Sequence, residues 1–284
     1  MAAFQKNAIL ATLCLAASVG VNLAAPHTHA AGSHRGHYSV VASIPPWARV
    51  DSMMRRDAMN EVQAQPKGVE WYGLFKEDEY AHQHFFHGLH NGTYLDLGAH
   101  DGVGQSNTKA LSDSFGWRGI LIDANPDLFK RLVANRPHDI CVHSAVCAMP
   151  GKVHYVLPKL DFVGGIWELM APTFLKTWHP ELADSPKGLP EVTCLPLSSI
   201  LGQLGARHIN FFSLDVEGGE LSVLQTLDFG RVTFDVIVVE ADSHDPVKNQ
   251  NVVDLLTSHG YRPHGQVESN AWFVNRAYNP RSFN

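Results

Sequence analysis

The sequence is poor in clustered basic residues, and this excludes one large class of function. Its 284 residues include 22 Lys and Arg against 28 Asp and Glu, which leaves a formal net charge of −6. Nucleic-acid binding needs clustered Lys and Arg to neutralise phosphates, and no basic run with interleaved aromatic residues is present. With 45% hydrophobic residues, the chain is expected to be globular and not to bind nucleic acid.

Cysteine is also scarce, and its spacing excludes a zinc-finger type of metal site. Of the four cysteines, Cys14 belongs to an apolar leader, which leaves Cys141, Cys147 and Cys194. Because three is an odd number, at most one internal disulfide forms and one thiol stays free. A Cys147–Cys194 or Cys141–Cys194 bridge is easier to form than one between Cys141 and Cys147, which an extended strand would hold about 20 Å apart. The alternative is that these cysteines are small buried apolar side chains.

A single long uncharged apolar run is present, and it lies at the start of the chain. Ala8–Ala25 follows Lys6, and Thr28 and Ala30 suit a cleavage site, so residues 1–30 are predicted to be a secretory signal peptide. The run is close to spanning length, so an uncleaved signal anchor is the alternative, and the membrane is a partner only in that case. The protein is therefore expected in the secretory pathway, secreted or in the lumen of the endoplasmic reticulum or Golgi. There, Asn91-Gly92-Thr93 is a candidate N-glycosylation sequon.

The remainder divides where secondary-structure signals become dense. Residues 31–66 are predicted to be an irregular linker and residues 279–284 a tail. Between them, residues 67–278 alternate apolar strands with helical segments, without an internal repeat. This predicts one α/β domain, a Rossmann-like doubly wound sheet that is mostly parallel and ends in a C-terminal antiparallel hairpin. The predicted elements include the helices Tyr72–His87, Gln105–Phe115 and Gly218–Leu227, and the strand Ile140–Val146.

A dinucleotide fingerprint of the Gly-x-Gly-x-x-Gly type is absent, although a glycine-rich turn is present. Tyr94–Gly104 is an apolar strand with Asp96 near its end, followed by a turn that a doubly wound domain uses to hold a nucleotide-like cofactor. Its glycines are spaced Gly-x-x-x-Gly-x-Gly, and His100 and Asp101 stand where a pyrophosphate binder prefers small neutral residues. An acidic crevice repels a diphosphate but accepts a sulfonium, so the turn favours S-adenosyl-L-methionine over NAD.

Acidic residues recur near the ends of the predicted parallel strands, where ligands bind in this fold. Asp123 lies about twenty residues after the glycine-rich turn and is predicted to bind ribose hydroxyls; the alternative is a cap on the helix that begins at Pro126. The segment Asp215-Val-Glu-Gly-Gly-Glu220 is a second marker. Asp215 as a helix cap is the alternative there. Because each glycine weakens a helix by about 1 kcal/mol, close approach of another group to this turn explains the double glycine better.

Together these motifs resemble the FkbM-type methyltransferase family over roughly residues 70–275. The matching residues are Tyr94–Gly102, Ser106–Thr108, Gly116–Gly119, Ile122–Pro126, Asn135-Arg136, Asp215–Glu220 and Val239-Glu240. The resemblance implies the fold of a class I methyltransferase and methyl transfer from S-adenosyl-L-methionine, commonly to an oxygen. Two positions depart from the pattern of many relatives, which carry Glu at Asp123 and Lys at Ser213. The second departure leaves any borrowed role for Ser213 in doubt.

Residue roles follow from the resemblance by position. Asp96, Gly98 and Gly102 would border the methionine part of the cofactor, Asp123 would bind ribose, and Ser144 and Ala145 would lie near adenine. The predicted cofactor-binding set is Asp96, Gly98, Ala99, His100, Gly102, Asp123, Ala124, Ser144, Ala145 and Asp215.

The predicted reaction is O-methylation of a glycan or small hydroxylated metabolite, which needs a base for the acceptor's proton. Glu217 is the first candidate, followed by Glu240 and then Asp215, while His100 and His244 are weaker. A divalent-cation site formed by Asp215, Glu240, Asp242 and His244 is a minor alternative, and no metal is predicted. The segment Phe162–Pro190 is either a lid over the acceptor or a structural insertion with two packed tryptophans.

Two other functions compete with this prediction. The resemblance extends to a metazoan secretory-pathway protein called Star, which has a chaperone-like export role, so a non-catalytic trafficking or interaction protein is the main alternative. An NAD-dependent oxidoreductase is disfavoured by the spacing of the glycine-rich turn. Retention of Asp96, Gly98, Asp123 and Glu217 favours an enzyme.

Overall fold

The computed structural model describes residues 41–43, 66–157, 164–241, 243 and 245–282. The predicted leader, most of the predicted linker, Asp242 and His244 lie outside the described residues. In the part of the chain that is described, no helix has the length and apolarity needed to cross a bilayer.

Strands and helices alternate along the described chain, as the sequence predicts. The strands are β1 (Val41–Ser43), β2 (Thr93–Leu97), β3 (Arg118–Asp123), β4 (Ile140–His143), β5 (Ala145–Val146), β6 (Gly151–Val156), β7 (Gly165–Ile166), β8 (Glu191–Leu195), β9 (His208–Leu214), β10 (Thr233–Glu240), β11 (Tyr261–Val267) and β12 (Asn270–Asn275). The helices are α1 (Glu77–His84), α2 (Lys109–Phe115), α3 (Pro126–Asn135), α4 (Pro172–Trp178), α5 (Leu197–Gln203), α6 (Glu220–Gln225) and α7 (Pro246–Ser258). Two short 3-10 turns, Trp167–Leu169 and Pro180–Leu182, flank α4.

The central sheet has the strand order β1-β4-β3-β2-β9-β10-β12-β11. Strands β4, β3, β2, β9 and β10 run parallel, whereas β12 and β11 add an antiparallel hairpin at one edge. This arrangement confirms the predicted fold class. Strand β1, which lies inside the segment predicted to be irregular, pairs antiparallel with β4 at the other edge. The strand order reverses between β2 and β9, which is the point at which doubly wound sheets bind ligands.

The parallel strands are buried on both faces because their side chains alternate between two apolar cores. On β2, Leu95 and Leu97 pack in one core and Tyr94 packs in the other. On β9, Phe212 packs in the same core as Leu95, and Phe211 packs in the same core as Tyr94. Strands of this kind read as nearly continuous apolar runs. Because both faces are filled, only the strand ends remain available to build a site.

Three helices begin later than predicted, each for a local reason. Helix α1 begins at Glu77 because Lys76 before it has a φ of 61°. Helix α2 begins at Lys109, because Gln105, where it was predicted to begin, has a φ of 57°, which is not helical. Helix α6 begins at Glu220, because Gly218 has a φ of 108°, which is not helical.

The segment predicted as one strand, Ile140–Val146, forms two strands in different sheets. Strand β4 ends at His143, and after Ser144 the chain enters β5 of a smaller sheet with the order β5-β8-β6-β7. A disulfide joins Cys147, directly after β5, to Cys194 on β8, and Cys141 is free and buried. Of the two pairings that the sequence leaves open, Cys147–Cys194 and Cys141–Cys194, the structure has Cys147–Cys194.

Candidate active site

A cavity of about 370 Å³ opens at the carboxyl ends of the parallel strands. Its walls come from the ends of β2, β3, β9 and β10, from the chain between β4 and β5, from β7, and from the segment before α1. The volume falls within the roughly 300–1,000 Å³ of small-molecule sites. Its position is where a doubly wound sheet binds its ligands.

The glycines of the first turn are required by the packing of the chain itself. Gly98 has a φ of 88°, and a Cβ there would overlap the carbonyl oxygen of Asp215. Gly102 has a φ of 78°, and a Cβ there would lie 2.6 Å from Cγ of Arg136. Only glycine accepts both the conformation and the close approach. The glycine-rich turn after β2 is therefore in direct contact with the Asp215 turn after β9.

A buried polar network supports the glycine-rich turn from behind. Arg136 is 3% exposed, pairs with Asp139 at 3.0 Å, and donates to the carbonyl oxygen of Gly102 at 3.0 Å. The Thr108 hydroxyl donates to the carboxylate of Asp96 at 2.7 Å. Burial is the main reason that the pKa of Asp96 rises to about 6. Arg136 had matched the family pattern, but its role as the support of this turn could not be read from the sequence.

Asp123 lies at the end of β3 and lines the cavity. Its carboxylate accepts hydrogen bonds from the backbone N–H groups of His100 and Asn125, both at 2.8 Å. Burial raises its pKa to about 7, although both hydrogen bonds act to lower it. Helix α3 is capped by the side chain of Asn125, so the alternative of Asp123 as its cap is wrong. Asp123 is left with lone pairs that can accept hydroxyl donors from the cavity.

The second marker, Asp215–Glu220, is a strained turn held by one buried carboxylate. Glu217 has a φ of 57°, in the left-handed region that non-glycine residues rarely adopt. Glu220 is fully buried, accepts from two backbone N–H groups of the turn at 3.2 and 3.0 Å, and forms an ion pair with Lys248 of α7. No side chain caps α6, so the alternative of Asp215 as its cap is wrong. Strain of this kind is typical of functional sites.

Three carboxylates converge where this turn meets the end of β10. Oxygen atoms of Asp215, Glu217 and Glu240 lie within 4.8 Å of one another, and all three residues line the cavity. Asp215 is accessible from the cavity side. Desolvation by the surrounding protein is the main cause that raises its pKa to about 7, whereas a hydrogen bond with Glu240 lowers it. The raised pKa places the titration of Asp215 near neutral pH.

The same three carboxylates are a candidate for holding a divalent cation, which prefers oxygen ligands. Asp242 and His244, the other two ligands considered from the sequence, lie outside the described residues. Convergent acidic groups are common without an ion. The three carboxylates can also act as acids, bases or hydrogen-bond acceptors without an ion, and their geometry fits these roles.

The segment between β6 and β8 forms a further wall of the cavity. The lining residues in it are Gly164, Gly165, Ile166 and Leu169. A Cβ on Gly165 would lie 3.2 Å from Cβ of Glu217, and one on Gly219 would lie 3.2 Å from Cδ1 of Leu169. The close approach predicted at the double-glycine turn is thus the approach of this segment. The alternative of two packed tryptophans is wrong for Trp178, which is 47% exposed.

The cavity brings together most of the predicted site residues. Those that line it are Gly98, His100, Asp123, Ala124, Ser144, Ala145, Asp215, Glu217 and Glu240. Asp96, Ala99 and Gly102 do not line it. They lie in the layer that shapes the turn, and their direct contact with a cofactor stays a prediction.

Several lining residues were missed by the sequence analysis. Tyr155 of β6 is buried, and burial together with the charges of Asp123 and Glu217 raises the pKa of its phenol well above the usual value. The phenol therefore stays protonated and able to donate a hydrogen bond. Further examples are Leu74 and Phe75 before α1 and Ser269 and Asn270 at the tip of the last hairpin. The predicted hairpin could have indicated Asn270, because an antiparallel neighbour of β10 must begin where β10 ends, opposite Glu240.

Comparison with family models places this site in a known family. The model of the FkbM methyltransferase domain matches residues 96–263. The chain belongs to this family. The match spans both markers, from Asp96 on β2 through the Asp215 turn to the start of the last hairpin. No curated protein matches the chain.

Solved structures similar to this FkbM-family chain include methyltransferases of distant sequence. A precorrin-6y C5,15-methyltransferase from Geobacter metallireducens is 14% identical, with 74% of this chain and 91% of that chain covered and a TM-score of 0.35. A TehB-like S-adenosylmethionine-dependent methyltransferase from Corynebacterium glutamicum is 11% identical, with coverages of 73% and 87% and a TM-score of 0.37. A fibrillarin from Aeropyrum pernix with natively bound S-adenosyl-L-methionine is 10% identical, with coverages of 65% and 66% and a TM-score of 0.34. Scores this low support no inference about the substrate.

The cofactor of this FkbM-family chain is S-adenosyl-L-methionine, and the cavity fits it. Asp123, Ser144 and the apolar Leu128 all line it, and the binding of ribose by Asp123 and of adenine near Ser144 stay predictions. The acidic lining suits a sulfonium cation and opposes a diphosphate. This chemistry agrees with the preference over NAD that the turn spacing indicates.

Proposed function

We propose that this chain is an O-methyltransferase that methylates a hydroxyl group of a glycan or of a small hydroxylated metabolite in the secretory pathway. Family membership supports methyl transfer. The observation that carries the choice of a hydroxyl acceptor is the convergence of Asp215, Glu217 and Glu240 in the same cavity as Asp123. A hydroxyl acceptor needs a base at the reacting oxygen, and these carboxylates are the groups in place to supply one.

Glu217 is the base in this proposal, and the other two carboxylates position the acceptor. When bound, S-adenosyl-L-methionine supplies an electrophilic methyl group on a sulfonium. Glu217 would take the proton of the acceptor hydroxyl as that oxygen gains the methyl group, and the S–CH3 bond would break to leave neutral S-adenosylhomocysteine. Asp215, whose pKa is raised to about 7, and Glu240 line the same cavity and accept hydrogen bonds from the hydroxyl groups of the acceptor. Fixed positioning of the two reactants supplies most of the rate gain.

Two features support the secretory pathway as the location. The apolar leader in residues 1–30 has the pattern of a signal peptide. The disulfide between Cys147 and Cys194 is of the kind that persists in oxidising compartments. We extend the proposal to an N-glycan at Asn91, whose exposed side chain supports the use of the sequon.

Cofactor binding is the first test of this proposal. Calorimetry of the purified chain with S-adenosyl-L-methionine and with NAD should give binding of the first alone. Binding of NAD in its place would contradict the proposal. Binding of neither would support the alternative of a non-catalytic, Star-like interaction protein.

A Glu217→Gln variant tests the assignment of the base. It should bind S-adenosyl-L-methionine as the wild type does, but transfer labelled methyl groups to a fractionated cell extract about 10²- to 10⁴-fold more slowly. Glu191→Gln, at an exposed position on β8 that does not line the cavity, is the matched control and should keep full activity. Full transfer by Glu217→Gln with the cofactor bound would remove Glu217 from this role.

A further inference from the structure

Among the described residues that line the cavity, the acids outnumber the single histidine, His100. Its acidic lining residues are Glu77, Asp123, Asp215, Glu217 and Glu240, and among the described lining residues none is a lysine or an arginine. The nearby cations are engaged elsewhere: Lys248 pairs with Glu220, and Arg136 pairs with Asp139 behind the glycine-rich turn. A phosphate, sulfate or carboxylate on the acceptor would meet a lining in which acids predominate. This lining opposes anionic acceptors.

Two apolar side chains stand exposed at the mouth of the same cavity. Leu74 is 57% exposed and Phe75 is 42% exposed, and both line the cavity. Neither side chain is part of an apolar core, and both lie next to the site. An exposed aromatic side chain beside a cavity of small-molecule size is a contact surface for a ligand.

The backbone that presents these two side chains is fixed by buried carboxylates. Glu77 is 5% exposed and accepts from the N–H of Phe75 at 3.1 Å and from the amide of Asn270 at 2.9 Å. Asp78 is fully buried and accepts from two backbone N–H groups of the preceding turn at 2.7 and 3.3 Å. Leu74 and Phe75 are therefore held at the mouth by a defined structure that also ties them to the last hairpin.

The rest of the lining near the carboxylates is polar and uncharged. Four such residues in the lining are Gln105, Asn107, Ser269 and Asn270. Amide, hydroxyl and carboxylate groups are hydrogen-bond partners for hydroxyl groups. An aromatic face beside them accepts the C–H face of a saturated ring by dispersion and burial of apolar area.

From these observations we propose that the acceptor is an uncharged ring-shaped polyol, such as a hexose glycoside, whose apolar face packs on Phe75 and Leu74 while its hydroxyl groups bond to the carboxylate end of the cavity. This inference rests on the proposed methyltransferase function and narrows its acceptor. Phe75 is then a specificity-determining residue, and acids such as uronic acids and sugar phosphates are excluded as acceptors.

Two probes that differ only in charge test the proposal. The full chain is loaded with S-adenosylhomocysteine, and saturation-transfer NMR is recorded with phenyl β-D-glucopyranoside and with phenyl β-D-glucopyranosiduronic acid. The glucoside should receive saturation and the uronic acid should bind at least about tenfold more weakly, a difference of about 1.4 kcal/mol. Equal or stronger binding of the uronic acid, or no binding of the glucoside, would overturn the inference.

Variants at the cavity mouth test the role of Phe75. Phe75→Ala should lose the glucoside signal while keeping cofactor affinity, and Phe75→Tyr should retain both. Met149→Ala removes a side chain that is 78% exposed and does not line the cavity, so it is the control and should change neither. An unchanged glucoside signal in Phe75→Ala would refute the contact. If the wild type fails to bind the cofactor, the proposed function fails; if it binds the cofactor but prefers the uronic acid, only this inference fails.

Discussion

The ionisation of a few carboxyl groups decides what the cavity can bind. Asp123 and Asp215 both have a pKa raised to about 7, chiefly because the protein desolvates them. Desolvation thus leaves each of these acids ready to change its charge near neutral pH. A cationic cofactor would stabilise the ionised forms, and so its binding and the loss of protons from the cavity are linked.

The affinity for S-adenosyl-L-methionine should therefore rise with pH. Below about pH 7 the two carboxyl groups are neutral and attract the sulfonium less, so we expect affinity to fall by about tenfold from about pH 8 to about pH 6, equivalent to about 1.4 kcal/mol. Calorimetry at several pH values measures this change. Asp215→Asn should bind more weakly at high pH and show a shallower dependence.

The same pKa shifts determine whether the free energy of unfolding of the unliganded protein rises or falls with pH. Unfolded aspartates have a pKa of about 3.9, so between about pH 4 and pH 7 the folded chain holds more protons than the unfolded chain. These groups therefore lower the free energy of unfolding as pH rises through that window. For the liganded protein, an affinity for S-adenosyl-L-methionine that increases on acidification would contradict the predicted pH dependence of cofactor binding.

Residues that carry charge or strained backbone were the ones predictable from sequence. Asp123 was identified by its distance along the chain from the glycine-rich turn, and Glu217 by its place beside two glycines. Phe75 was not identified, because an exposed phenylalanine has no local mark that distinguishes it from a core residue. Its role depends on the last hairpin, whose Asn270 holds Glu77, and that contact between distant parts of the chain has no signal in a single sequence.

At the scale of elements, the site depends on turns that touch one another. The turn after β2 packs on the turn after β9 through Gly98 and the Asp215 carbonyl group. The turn after β9 also packs on the segment after β7, through Gly219 and Leu169. The strand periodicity predicted the strands that carry these turns. It could not predict that β4 ends at His143 and that the chain enters a second sheet after Ser144, because both strands are largely apolar and only one residue separates them.

The ion pair between Glu220 and Lys248 should be the main tie between the β9 turn and α7. Lys248→Met leaves the fully buried Glu220 without its cation, so we expect a loss of about 3–5 kcal/mol in the free energy of unfolding, measured with urea. The double variant Lys248→Met/Glu220→Gln should recover part of this loss, since glutamine still accepts from the backbone N–H groups of the turn.

A surface pair is the control for this experiment. Lys130 and Asp127 form an exposed ion pair at 2.9 Å, and Lys130→Met should leave the urea midpoint nearly unchanged. If Lys248→Met were equally harmless, or if the double variant were less stable than the single one, the turn would not depend on this pair.

At the scale of the whole molecule, the cavity is shared between two sheets. The central sheet contributes the acids at its strand ends, and the smaller sheet contributes Ala145 and Val146 of β5 and Gly165 and Ile166 of β7. Strands β8 and β6 connect these two, in the order β5-β8-β6-β7. The smaller sheet therefore joins one wall of the cavity to another, and its integrity should matter to ligand binding as well as to folding.

The disulfide between Cys147 and Cys194 is the covalent link within that smaller sheet. It closes a loop with a sequence separation of 47 residues, for which the chain-entropy model gives about 4 kcal/mol and typical measured values are about 2–4 kcal/mol. We expect Cys147→Ser/Cys194→Ser, or reduction of the wild type, to lower the free energy of unfolding by about 2–4 kcal/mol. Cofactor affinity should fall as well, because β5 and β7 line the cavity. Urea unfolding and calorimetry with and without reductant measure both effects, and the reductant should have no effect on the double variant. If reductant changed neither the unfolding nor the cofactor affinity of the wild type, the small sheet would hold the cavity walls without the disulfide.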